Sequence, residues 1–254
     1  MAFTLYRFWE FSDYRSREAP RGSEANVVNA AKTFIESCSD VAPQQRMKLY
    51  DQWAETYEQD HSLIGYRAPH QTVDFLNANF SGSREEVLVL DVACGSGWVA
   101  KLMAELGFRN FVGVDGSKGM LEQAAKTGLY QDLRLALLGT EPLPAQTDGF
   151  DVVMVVGALR DGFVPVSVVR ELCYAARPGG YVCMSKVDPK LESGDKYKVC
   201  LEKELQLMED EGLWTRVISQ EMERYVMDVN NYLKNQHDDQ YLYGTMYLYR
   251  KGLN

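Results

Sequence analysis

Asp91 and Asp115 each close a short apolar run. Val87 to Leu90 leads into the first acid and Phe111 to Val114 into the second. Ala93-Cys94-Gly95-Ser96-Gly97, a loop of small residues, follows the first. Glycines there let the backbone turn sharply and approach a ligand closely. A carboxylate offers two acceptor oxygens, the pattern that fits the two hydroxyls of a ribose. The chemistry within reach is therefore the binding of a nucleotide-like molecule.

Two strands and one helix must hold these groups. The valine-rich runs read as buried parallel strands, near residues 87–91 and 110–115. Val99, Leu102, Met103 and Leu106 form one face of the helix between them, which Gly107 stops. Strands that end in acids and share a sheet place both carboxylates at one edge, where open α/β folds bind nucleotides. Ser117 is suited to cap the next helix, which buries Met120, Leu121 and Ala124. Further strands are expected near 133–138, at 150–156 and at 181–185, with a helix at about 166–176 halted by Pro178-Gly179-Gly180. Trp214 to Ile218 and Thr245 to Tyr249 read as a hairpin-like pair that adds one reversed strand, with a polar loop from Asn230 to Gln240. The fold class is α/β: a Rossmann-like seven-stranded, mostly parallel sheet with one antiparallel edge strand and helices on both faces.

Upstream, Met47, Tyr50, Trp53, Ala54 and Tyr57 share one helical face, and Ala68-Pro69 suits the start of a second helix. Residues 1–44 read as a leader with at most a short helix over Val27 to Ile35, and 45–254 as one domain with its binding core at about 85–186.

Bulk properties narrow the function. A net charge of −9 opposes a nucleic-acid binder. No run of about 18 apolar residues exists to cross a membrane, and Met1 to Arg21 lacks the apolar core of a signal peptide. The five cysteines, Cys38, Cys94, Cys173, Cys183 and Cys200, have neither disulfide-frame nor metal-ligand spacing, so no metal is expected and a cytoplasmic location is.

The glycine loop admits two ligands. Gly95 to Ala100 matches G-x-G-x-x-A, and Asp115 follows at a distance suited to a dinucleotide ribose. A diphosphate beside Asp91 would meet like charge, whereas S-adenosylmethionine brings an ammonium and a sulfonium to that place. The Pro178-Gly179-Gly180 turn and the reversed strand favour the second ligand.

Leu90 to Gly97, Val114-Asp115, Phe150 to Val153 and Arg177 to Gly180, in that order, resemble the class I S-adenosylmethionine-dependent methyltransferases. More narrowly, Tyr50 to Ala54, Tyr66 to Pro69, Val156 to Leu159 and Leu248 to Lys251 resemble the methyltransferase-like branch of the Williams–Beuren syndrome region. The resemblance implies that Asp91, Ala93, Cys94, Gly95 and Gly97 hold or border the amino-acid end of the cofactor. It gives Asp115 the ribose, Gly116 and Met120 the adenine border, and Gly139-Thr140 the adenine edge. Many relatives carry an acid where Gly139 stands. Gly157, Ala158 and Leu159 would lie under the methionine moiety, while Tyr57 and Arg67 would close over the cofactor.

The acceptor is expected to be a small molecule or a protein, received by the segment near Tyr57 to Arg67, the loop after the 150–156 strand and the stretch from Tyr225 to Tyr243, which are rich in tyrosine. No catalytic residue is assigned, since His61, His70 and His237 all lie outside the core motifs. A module that binds S-adenosylmethionine without turnover and a nicotinamide-dependent oxidoreductase stand as alternatives.

Overall fold

The computed structural model describes residues 33–34, 37–38, 41–188, 196–229 and 241–253. The loop expected from Asn230 to Gln240 lies outside them, as does all but Thr33-Phe34 of the helix expected over Val27 to Ile35.

Among the described residues, the helices α1 (Pro43–Trp53), α2 (Tyr57–Leu63) and α3 (Ala68–Asn79) precede the sheet. The helical face read from Met47 to Tyr57 is thus broken at Ala54–Thr56. Asp60 stitches the corner, accepting from Trp53 Nε1 at 2.7 Å and from the Thr56 hydroxyl at 2.8 Å. The α/β alternation follows as β1 (Leu88–Val92), α4 (Trp98–Glu105), β2 (Asn110–Asp115), α5 (Lys118–Lys126), β3 (Tyr130–Leu135), β4 (Phe150–Val156), α6 (Val168–Ala175) and β5 (Ala176–Asp188). The chain ends with α7 (Lys196–Asp210), β6 (Trp214–Met227) and β7 (Tyr241–Lys251). The last two strands run well beyond the short pair expected from their apolar centres.

One seven-stranded sheet runs β3-β2-β1-β4-β5-β7-β6. β1 through β5 pair in parallel, and β7 is antiparallel to both β5 and β6. The reversed strand is β7, one place in from the rim, with β6 outermost. Alternate residues of the central strands feed two cores. Leu90, Val92, Val153 and Val155 pack toward α6 and α7. Val89, Val152 and Met154 pack toward α3 and α4. Each such side chain, removed from water, contributes about 1.5–3 kcal/mol. The central strands are therefore the rigid floor on which their C-terminal loops stand.

The strand order reverses between β1 and β4. The loops at their carboxyl ends diverge there and leave a crevice. Glu58 of α2 accepts from Ser96 Oγ at 2.6 Å and pairs with Lys101, fastening α2 to the glycine loop. Asp51 of α1 accepts from Ser117 Oγ at 2.7 Å and from the Gly119 N–H at 2.8 Å, fastening α1 to the start of α5. The N-terminal helices thus roof the crevice.

Candidate cofactor and acceptor cleft

Beneath that roof is a cleft of ≈ 690 Å³, its open mouth included. The size is usual for a small-molecule site. Its floor is Ala93 and Gly95 from the loop after β1, Asp115-Gly116 from the end of β2, and Val156, Gly157 and Ala158 from the end of β4. Met120, Ala136, Leu137 and Leu138 form an apolar slot on one side, while Met47, Tyr50, Tyr57, Tyr66, Phe163 and Val164 complete the walls.

The loop after β1 is wound tightly. Ala93, Gly95 and Gly97 all have positive φ, at 54°, 56° and 85°. The coil turns the Gly95 N–H onto Asp115 Oδ2 at 2.9 Å, while the Ser117 N–H donates to Oδ1 at 2.8 Å. Burial raises the Asp115 pKa, and the backbone donors oppose that shift. The geometry therefore offers a fixed, two-pronged acceptor for a diol.

Asp91 sits differently. It is 1% exposed and accepts from the Tyr130 hydroxyl at 2.7 Å. It is absent from the cleft lining. Burial pushes its pKa up to about 7, the Tyr130 bond opposing and the neighbouring Asp115 adding to the rise. The electrostatic argument that Asp91 meets a cationic ligand directly does not follow from this position, because the carboxyl is buried and one of its oxygens is taken by Tyr130.

The remaining expected residues divide. Tyr57, Ala93, Gly95, Asp115, Gly116, Met120, Gly157 and Ala158 meet in the cleft. Cys94 and Leu159 are buried beside it, and Gly97 caps α4. Arg67 is exposed at the N-cap of α3, where its backbone N–H donates to the Tyr225 carbonyl. Thr140 turns its hydroxyl to the Leu137 carbonyl at 2.7 Å. Gly139 has φ 83°, and a Cβ there would meet Pro165 Cγ at 2.2 Å. No acidic side chain fits at 139, which accounts for the missing adenine acceptor.

Sequence reasoning gave the Tyr57 to Arg67 segment and the loop after β4 to the acceptor side without singling out Tyr66, Phe163 or Val164, read Met47 only as part of a helical face, and missed the Ala136 to Leu138 slot. Tyr50, read there as one member of a helical face, proves to line the cleft. The aromatics form a continuous wall: Tyr50 against Phe163 at 6.0 Å, Tyr57 against His61 at 4.1 Å, His61 against Tyr66 at 4.9 Å and Tyr66 against Tyr225 at 5.6 Å. His61 faces the Tyr57 carbonyl through Nδ1 at 3.0 Å, so that nitrogen donates. Burial lowers its pKa to about 4, and it stays neutral. Among the described residues no group of three or more metal-ligating side chains converges.

Residues 83–242 match a family model described as a methyltransferase domain. The chain belongs to the methyltransferase family. Over 203 residues this methyltransferase is 44% identical to Methyltransferase-like protein 27 of Homo sapiens, covering 80% of this chain and 81% of that one. It is 27% identical to the demethylmenaquinone methyltransferase of Bacillus subtilis (strain 168), over 56% of this chain and 64% of the relative. It is also 30% identical to the tRNA U34 carboxymethyltransferase of Cellvibrio japonicus (strain Ueda107), over 44% of this chain and 36% of the relative. Among solved structures, the [4+2]-cyclase SpnF shares the fold with a TM-score of 0.61 at 20% identity, over 84% of this chain and 97% of that chain. The MccD protein does so at 0.55 and 16%, over 72% and 98%. The chain is a methyltransferase that uses S-adenosylmethionine, and the expected class I fold is the one observed. The named relatives act on unlike acceptors, so family membership leaves the acceptor to be argued from the walls of the cleft.

Proposed function

We propose that this enzyme transfers the methyl group of S-adenosylmethionine to a small acceptor held between the aromatic walls of the cleft, in the cytoplasm. The observation that carries the reading is the cleft's construction: a fixed carboxylate at one end, Asp115, and tyrosines with Phe163 at the other. The residues present fit the cofactor. Asp115 would take the ribose hydroxyls, and Met120 with Ala136 to Leu138 would enclose the adenine. Ala93, Gly95 and Gly157-Ala158 would lie along the methionine portion, under Tyr57. Bound S-adenosylmethionine supplies a methyl carbon already activated by its sulfonium. The protein's part is then alignment and exclusion of water, which account for much of the barrier reduction in such transfers.

A small acceptor agrees with the walls and with the charge. Four tyrosines surround the inner end: Tyr50, Tyr57, Tyr66 and Tyr225. A net charge of −9 disfavours an RNA or DNA acceptor. Free thiols at all five cysteines agree with a reducing compartment. No helix among the described residues is long and apolar enough to cross a membrane. We read residues 45–254 as one catalytic domain, since α1 and α2 are hydrogen-bonded to the loops they cover.

The test is methyl transfer from labelled S-adenosylmethionine into whole cell extract, separated into small-molecule, protein and RNA fractions. Label is expected in the small-molecule fraction. Enzyme-dependent label confined to protein or RNA would overturn the acceptor class.

A further inference from the structure

We infer that Arg160 forms an anion subsite in the acceptor half of the cleft, and that the acceptor is a small planar acid whose ionised oxygen receives the methyl group. The inference rests on the methyltransferase reading of the cleft given above.

Arg160 stands three residues beyond Gly157, on the loop that leaves β4. Its guanidinium lies 3.7 Å from the centre of the Phe163 ring; Phe163 lines the cleft, whereas Arg160 itself is not among the lining residues and borders the cleft through that ring. Arg46 lies over the same ring at 4.7 Å. Arg46, however, is 2% exposed and donates to the carbonyls of Cys38, Val41 and Gly162. It is a structural cation. Arg160 is not satisfied in that way: its Nε is buried and finds no partner among the described residues. A buried guanidinium donor left without an acceptor is costly. A ligand oxygen would complete it, and a guanidinium favours planar, two-oxygen anions.

The charge of Arg160 reaches the tyrosines around the cleft. It opposes the rise that burial imposes on the Tyr50, Tyr57, Tyr66 and Tyr225 hydroxyls. The Asp115 field acts on Tyr50 and Tyr57 with the opposite sign. The cleft thus has a negative pole at the ribose end and a positive pole near Tyr66 and Tyr225. The aromatic walls select a flat body between them.

The lining also lacks a base. Asp115 is its one carboxylate among the described residues, and no histidine is part of it. An acceptor that arrives ionised needs none. A lone pair of the acceptor oxygen forms the new O–C bond to the methyl carbon as the C–S bond breaks. The pair from the broken bond stays on sulfur, giving the thioether S-adenosylhomocysteine. No proton moves, and the negative oxygen and positive sulfur are both neutralised. Arg160 is a positioning residue in this scheme: it selects and orients the anion.

The same carboxylate chemistry is offered by the amino-acid end of the cofactor, so the experiment separates the two. The full chain is loaded with S-adenosylhomocysteine and titrated with p-nitrophenol, whose phenolate is coloured, and with p-nitrotoluene as the uncharged counterpart. The expected result is preferential binding of the phenolate. Arg160→Gln should weaken it roughly thirtyfold, and Arg160→Lys should restore part of the loss. The affinity for S-adenosylhomocysteine, read by calorimetry, should change less than about threefold in both variants. Circular dichroism checks that both fold. Equal binding of p-nitrotoluene, no phenolate binding by the wild type, or unchanged phenolate affinity in Arg160→Gln would overturn the inference. So would a parallel loss of S-adenosylhomocysteine affinity, which assigns the guanidinium to the cofactor. Failure of the wild type to bind S-adenosylhomocysteine at all is a separate result, and it removes the methyltransferase reading itself.

Discussion

At the Asp115 end of the cleft the backbone does the positioning, whereas at the Tyr66 end side chains from four separated segments do it. Asp115 is held by the Gly95 and Ser117 N–H groups, both within a few residues of a strand end. The opposite wall takes Tyr50 from α1, Tyr57 from α2, Tyr66 from the turn before α3 and Phe163 from the loop after β4. The first end is set once the parallel strands are in register. The second exists only after α1 and α2 have docked through Asp51 and Glu58. A nucleotide-binding floor can therefore be common to many proteins while its roof, and with it the acceptor, differs.

The largest break in this comparison comes from Asp115→Ala. Two hydrogen bonds to a charged carboxylate at ~1.5 kcal/mol each correspond to about a hundredfold in affinity for S-adenosylhomocysteine. Calorimetry should show that loss. Binding of p-nitrophenolate at the other end should persist if the two ends are built independently. Cofactor affinity within about threefold of the wild type would mean that Asp115 is only a loop brace.

Gly157 is the joint between the two ends. Its φ is 76°, and a Cβ would meet the Tyr66 hydroxyl at 1.9 Å. Gly157→Ala therefore combines backbone strain with displacement of Tyr66. Strain of ~1–3 kcal/mol plus the clash should lower Tm by roughly 5 °C or more. Adding Tyr66→Phe removes the closest contact and should recover part of the loss. A double variant no more stable than Gly157→Ala would place the whole cost in the backbone.

How much of this was legible beforehand follows the same division. β1, β2 and β4 announced themselves as valine-rich runs with acids or glycine at their ends, because a strand buried on both faces has little choice of residue. Asp115 and the glycine loop were readable since their partners lie on the same short segments. For Tyr66 and Phe163 only their segments were legible, the stretch before α3 and the loop after β4. Nothing in local spacing says which side chains of two distant segments will face one cleft. The break between α1 and α2 was hidden for a related reason: Met47, Tyr50, Trp53 and Tyr57 keep helical spacing, and the corner depends on Asp60, seven residues after Trp53. Asp91 was found for the right place and given a role that its burial does not support. Its strand position was plain, but the Tyr130 hydroxyl beneath it comes from the start of β3, 39 residues away.

That carboxyl yields the most specific effect. Folding raises the Asp91 pKa from 3.8 to about 7. In the native state it holds its proton across a range where the unfolded chain has released it. Stability from this group is therefore fully present below about pH 4 and declines as pH rises toward 7. Asp91→Asn keeps an acceptor for Tyr130 and removes the titration. In cofactor-free protein the variant's Tm relative to the wild type should rise by several degrees between pH 4 and pH 8. A constant difference across that window would mean that Asp91 is ionised in the native state. A native carboxylate at Asp91 would then be available, after all, to attract a cationic ligand, and the ribose end would carry two negative charges where the structure assigns one.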